Sequence, residues 1–141
     1  MKKIIYGAIG LMLVLAALAV SQTPSGPKHH AVFQLTEPGG IAWDMLEPHV
    51  TNLQAAMAKD GGVEVEVVFF GPGLNMLLNK DKDHAAQLKK MADAGVKLSA
   101  CQNAMKFYKV TTEDLFPFAS QVDAGVAELT RKQEAGWAYI H

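Results

Sequence analysis

The chain has 141 residues, half of them apolar, with 13 basic and 14 acidic side chains and a formal net charge of −1. That length supports one domain with a real core and is too short for two. The charge balance gives no electrostatic footprint for nucleic acid or an anionic membrane, and a single cysteine excludes both an internal disulfide and a cysteine-rich zinc site.

Residues 1–22 have the layout of a secretory signal peptide. Lys2 and Lys3 form a basic n-region, residues 4–20 are an almost uninterrupted apolar run, and small residues offer cleavage after Ala19 or Ser21. The alternative is an uncleaved N-terminal anchor, since the run is long for an h-region and short for a spanning helix. Either way the domain is expected outside the cytoplasmic membrane, in the periplasm. Cleavage would leave 11 basic and 14 acidic residues, a net charge near −3. Residues 23–29, with Pro24, Gly26 and Pro27, read as a flexible tether, and residues 30–141 as the domain.

Within the domain a first strand is expected at 30–36, closed by Glu37-Pro38-Gly39-Gly40. Leu46, Val50, Leu53 and Met57 then recur on one helical face. Pro48 predicts that this helix starts there, with residues 43–47 as a separate leading turn. Gly61-Gly62 ends it. Residues 63–70 form the clearest strand, where Val63, Val65 and Val67 alternate with Glu64 and Glu66 before an all-apolar finish. The alternation suggests that both glutamates lie on a face that is solvated or meets another subunit.

Gly71-Pro72-Gly73 breaks that strand, and a short helical turn over 74–79 follows. A second helix is expected at 81–94 with Leu88, Met91 and Ala92 inward, then a third strand at 96–101 and a helix at 103–108. Thr111 and Asp114 have the spacing of a capping box. A weak fourth strand at 118–123, a helix at 124–135 with Val126 and Leu129 inward, and a last strand at 137–140 complete the pattern. Strands alternating with helices predict a parallel sheet covered on both faces. Ligands in such sheets bind beyond the carboxyl ends of the strands, where Cys101 and the Gly71-Pro72-Gly73 loop should meet if their strands are neighbours.

Four segments, taken in order, resemble the DsrE/DsrF-like family. They are Val67-Val68-Phe69-Phe70-Gly71-Pro72-Gly73-Leu74, Ala100-Cys101-Gln102-Asn103-Ala104-Met105, Asp123-Ala124-Gly125-Val126-Ala127-Glu128-Leu129 and Gln133-Glu134-Ala135-Gly136-Trp137-Ala138-Tyr139-Ile140. The resemblance implies a three-layer α/β/α domain with a mainly parallel five-stranded sheet, assembled as a homo-oligomer, a trimer or hexamer. It also implies sulfur carriage as a persulfide at the position matched by Cys101, with a thiol-bearing protein as donor or acceptor. Two positions depart from the relay branches: Gln102-Asn103-Ala104-Met105 replaces the basic residues after the cysteine, and Phe70 stands where many relatives carry histidine.

Cys101 therefore reads either as a nucleophile and persulfide carrier or as a buried packing residue in a non-catalytic, oligomeric module that binds a small ligand or partner. Gly71, Pro72 and Gly73 would shape the pocket, or simply end a strand. Asn75 and Asn103 would donate to a ligand, Asn103 to the terminal sulfur, or else cap short helices. Trp43 and Trp137 read as core or subunit-interface residues. His29 and His30 suggest a remote surface-metal alternative. No cofactor and no metal centre is expected from the spacing of the five histidines.

Overall fold

The computed structural model describes Pro27 and residues 29–141. The leader expected at residues 1–22 and most of the tether lie outside the described residues. His29, assigned to the tether, instead opens the first strand, where its N–H donates to the Gly62 carbonyl at 3.2 Å.

The elements run β1 (His29–Leu35), α1 (Gly40–Met57), β2 (Val63–Phe69), α2 (Ala85–Asp93), β3 (Lys97–Cys101), α3 (Gln102–Tyr108), β4 (Ser120–Val122), α4 (Gly125–Glu134) and β5 (Ala138–Ile140), with 3-10 turns at Ala58–Asp60, Gly71–Leu77 and Thr112–Asp114. All strand pairs are parallel, in the order β4-β3-β2-β1-β5. From β1 inside the sheet, strands are added toward one edge as far as β4, and the chain then returns across the sheet to place β5 at the other edge.

That return sets the layers. Ala31, Phe33, Leu35, Val65, Val67, Phe69, Leu98 and Ala100 point to one face, where they bury Trp43, Leu46 and Val50 of α1 with Leu88 and Met91 of α2. The alternate positions Val32, Val68 and Val122 point to the opposite face, against Leu129 of α4 and the partly buried Trp137. The result is a three-layer α/β/α sandwich whose second face is covered, among the described residues, by the ten-residue α4.

Four local expectations are corrected. Helix α1 does not restart at Pro48 but runs through it. Proline forfeits the hydrogen bond to the Asp44 carbonyl, yet Trp43 before it and Leu46 and Val50 around it are all buried, and that packing holds the helix in one piece. Helix α2 begins at Ala85 rather than at 81, because Asp81 Oδ1 accepts the backbone N–H groups of Asp83 and His84 at 3.2 and 3.4 Å and so supplies a turn that competes with the helix. Val126 does not face inward: it is 63% exposed, while Leu129 is buried. The capping box forms, with the Thr111 N–H donating to Asp114 Oδ2 at 2.8 Å.

The fourth correction concerns Glu66, which is neither solvated nor at a free face. It is fully buried beneath α4. Lys132 Nζ lies 2.8 Å from Oε2, Lys97 Nζ lies 3.1 Å from Oε1, and the Ser99 hydroxyl donates to Oε1 at 2.6 Å. Lys132 also sits 3.7 Å above the Trp137 ring, so the cation that neutralises Glu66 is roofed by an aromatic face. Burial pushes the Glu66 carboxyl up, but the bonds from Lys132, Ser99 and Lys97 outweigh it and hold the group below its ordinary value.

Candidate functional site

Strands β3 and β4 are neighbours, and the chain leaves their carboxyl ends in opposite directions. After Cys101 it enters α3, whose Ala104 and Met105 join the core on the α1 side. After Val122 it enters α4 on the other face. Such a divergence opens a crevice at the strand ends. A cavity of about 340 Å³ occupies it, walled by residues at the ends of β2 and β3, by α3 and by the start of α4.

Cys101 forms the floor and is 5% exposed. It is itself the N-cap of α3. Its Sγ accepts the Ala104 N–H at 3.5 Å and the Gly125 N–H, from the first residue of α4, at 3.2 Å. Two backbone donors from two helices thus converge on one sulfur, the complement that an anionic sulfur needs. Gly125 is required by space: a Cβ there would stand 2.9 Å from the Cβ, Cγ and Cδ1 atoms of Phe70. The turn that presents its N–H is tied down by Arg131, which pairs with both Asp123 and Glu128. Hydrogen bonding from Arg131 holds the Asp123 carboxyl below its ordinary value.

The sequence-derived candidates divide. Cys101, Gly71 and Asn103 line the cavity together, and the pairing of Phe69 with Ala100 is what brings the loop after β2 beside the end of β3. Pro72, Gly73 and Asn75 do not line it. Pro72 is exposed. Gly73 is buried behind the site, where its N–H donates to the Thr36 carbonyl at 2.8 Å and a Cβ would lie 2.3 Å from the Leu35 carbonyl oxygen. Asn75 lies within the 3-10 turn Gly71–Leu77. Neither asparagine caps a helix: Cys101 takes that place in α3, and Asn103 sits in its first turn.

Residues not singled out as candidates complete the walls: Phe70 after β2, Ala104, Phe107 and Tyr108 of α3, and Ala124, Gly125 and Val126 at the start of α4. The segment around Gly125 carried a signal as one of the four family-like stretches, although its periodicity announced only a helix start.

The histidine pair does not converge on one point. His30 packs on Trp137 with ring centroids 5.1 Å apart and ring planes tilted by 44°, and lies 3.7 Å from Glu64, whereas His29 precedes it on the strand and so points to the opposite face. Among the described residues no cluster of three or more His, Cys, Asp or Glu side chains forms, and no helix is long and apolar enough to cross a membrane.

Residues 5–141 match the profile of the DsrE/DsrF-like family. The chain belongs to that family. Among solved structures it is similar to a protein of unknown function from Methanobacterium thermoautotrophicum, at 28% identity and a TM-score of 0.68, over 79% of this chain and 97% of that one. It also shares its fold with a conserved protein of unknown function from Bacteroides thetaiotaomicron, at 15% identity and a TM-score of 0.63, over 79% of this chain and 92% of the other. No curated protein matches the sequence.

Proposed function

We propose that this DsrE-like domain is an exported sulfur carrier that holds sulfane sulfur as a persulfide on Cys101. The observation that carries the reading is the pair of N–H donors, from Ala104 and Gly125, on a sulfur at the floor of a cavity. A thiolate at this point attacks the outer sulfur of a donor R–S–SH. The Cys101–S bond forms as the donor S–S bond breaks, leaving Cys101–S–SH and R–S⁻. An acceptor thiolate reverses the same exchange and restores the Cys101 thiolate, with no external oxidant or reductant. The terminal sulfur projects into the cavity beside Gly71 and Asn103.

The leader at residues 1–22 directs the domain to the periplasm in this reading, where thiol-bearing proteins are its donor or acceptor. Exposed Ile41 and Met45, one turn apart on α1, support assembly with further copies of the chain. A second reading is favoured by the burial of Cys101 against Ala104 and Met105: a non-catalytic binding module in which the thiol is a packing residue. Intact mass spectrometry of the exported protein, prepared without reductant and exposed to a sulfane-sulfur donor, separates the two. The carrier gains the mass of one or more sulfur atoms, and Cys101→Ser does not. A thiol that gains nothing and alkylates only after unfolding rejects the carrier and leaves the binding module.

A further inference from the structure

The cavity around Cys101 selects among sulfur donors by the chemistry of its walls. At about 340 Å³ it falls within the size range of small-molecule sites. Phe70, Phe107, Val126 and the flanking alanines line it with hydrocarbon. Apart from the thiol, the Asn103 amide and the Tyr108 hydroxyl are the polar side-chain groups among the lining residues, and none of those residues is charged. A carboxylate or ammonium seated against these residues meets no counter-charge on the lining. Arg131, the cation nearest in sequence to the start of α4, is already paired with Asp123 and Glu128. At the mouth, Phe107 is 78% and Val126 63% exposed, so apolar surface stands ready for a ligand's carbon group.

We propose that Cys101 takes its sulfur from a small organic persulfide whose carbon group is uncharged and apolar, with a protein thiol as the acceptor; this rests on the carrier reading above. In the forward step the donor is R–S–SH with R a hydrocarbon group, the donor S–S bond breaks with its electron pair leaving on R–S⁻, and Cys101–S–SH forms. The R group occupies the cavity between Phe107 and Val126 while the outer sulfur meets Sγ. A small charged donor such as glutathione persulfide meets the same sulfur chemistry but finds no charged group on the lining to recognise it.

The test compares benzyl hydropersulfide with glutathione hydropersulfide at matched concentration on the exported full chain. Loading of Cys101 is timed by intact mass, and each rate is divided by that persulfide's rate with 2-mercaptoethanol. The expected result is an advantage of about tenfold for the benzyl donor, the effect of burying roughly two methylene groups. Val126→Asp and Phe107→Ser, both at exposed positions that leave the fold intact, should bring the two donors close to parity. Glutathione persulfide loading as fast or faster overturns the inference while the carrier reading stands. Parity in the unmodified protein, with an oligomer that Phe107→Ser dissociates, also overturns it and assigns the rim to a second copy. Loading by neither donor sinks the carrier reading and the inference with it.

Discussion

Lys132→Met tests whether the buried charge cluster under α4 fastens that helix to the sheet. The substitution keeps the hydrocarbon stem against Trp137 and removes the ammonium 2.8 Å from Glu66 Oε2. Removing one partner of a buried ion pair strands the other and typically costs about 3–5 kcal/mol. Here Lys97 and Ser99 still bind Glu66 Oε1 at 3.1 and 2.6 Å, which places the expected loss lower, at about 2–3 kcal/mol. For a domain of this size that corresponds to a fall in Tm of roughly 10 °C.

The pH dependence has a definite sign. In the native protein the Glu66 carboxyl lies below its ordinary value of 4.5, so its stabilisation is present above that value and is lost as pH falls through the folded one. In Lys132→Met the desolvation that pushes the carboxyl up is opposed by fewer bonds, so the folded value rises and acid penalises the variant less. The deficit between variant and native protein should therefore shrink on acidification. Urea melts at about pH 7 and about pH 4 measure it. Glu66→Met combined with Lys132→Met should recover most of the loss, since an apolar pair replaces a broken ionic one and Lys97, half exposed, turns to water. A deficit under about 1 kcal/mol, or one that does not change with pH, would refute the reasoning.

Two further outcomes follow from the glycines of the site. Gly73→Ala puts a Cβ 2.3 Å from the Leu35 carbonyl oxygen, a backbone atom with nowhere to go, so a loss of about 3 kcal/mol or more is expected in chemical denaturation; a stability within about 0.5 kcal/mol of the native value would show that the turn yields. Gly125→Ala forces Phe70 aside at 2.9 Å and should cost about 1–3 kcal/mol, with Cys101 sulfur loading slowed beyond what the stability loss explains; loading at the native rate in a destabilised protein would separate the Gly125 N–H from the chemistry.

Much of this fold was legible because its signals are local. The run from Val63 to Phe70, the glycine stops and the Thr111–Asp114 box are each set by neighbouring residues, and each strand end falls within a few residues of its expected place. Glu66 was not legible, for a physical reason. Alternating Val and Glu on a strand reads as one buried and one wet face, but here α4 roofs the wet face and delivers Lys132 to it. That partner lies in another element and is aligned only by the return crossover to β5, which no local periodicity records. Val126 failed for a related reason: its spacing from Leu129 fits one helical face, but α4 is rotated so that Leu129 and Gly125 turn inward and Val126 turns to the cavity mouth.

The same non-locality explains why Cys101 alone was an ambiguous signal. Its first donor, Ala104, is three residues away and follows from any helix that starts at a strand end. Its second, Gly125, is distant in sequence and belongs to the helix that covers the opposite face. The two donors meet because β3 and β4 are adjacent while α3 and α4 diverge, so the sulfur sits where the layers part. A packing cysteine needs neither donor, and the closer of the two, at 3.2 Å, comes from a glycine whose missing Cβ makes room for Phe70. The chemistry at Cys101 is thereby coupled to the seating of α4, and α4 is seated by Leu129 and by the Glu66–Lys132 pair at the far end of the helix. Loosening that pair should weaken the hold on the sulfur without touching any residue that lines the cavity.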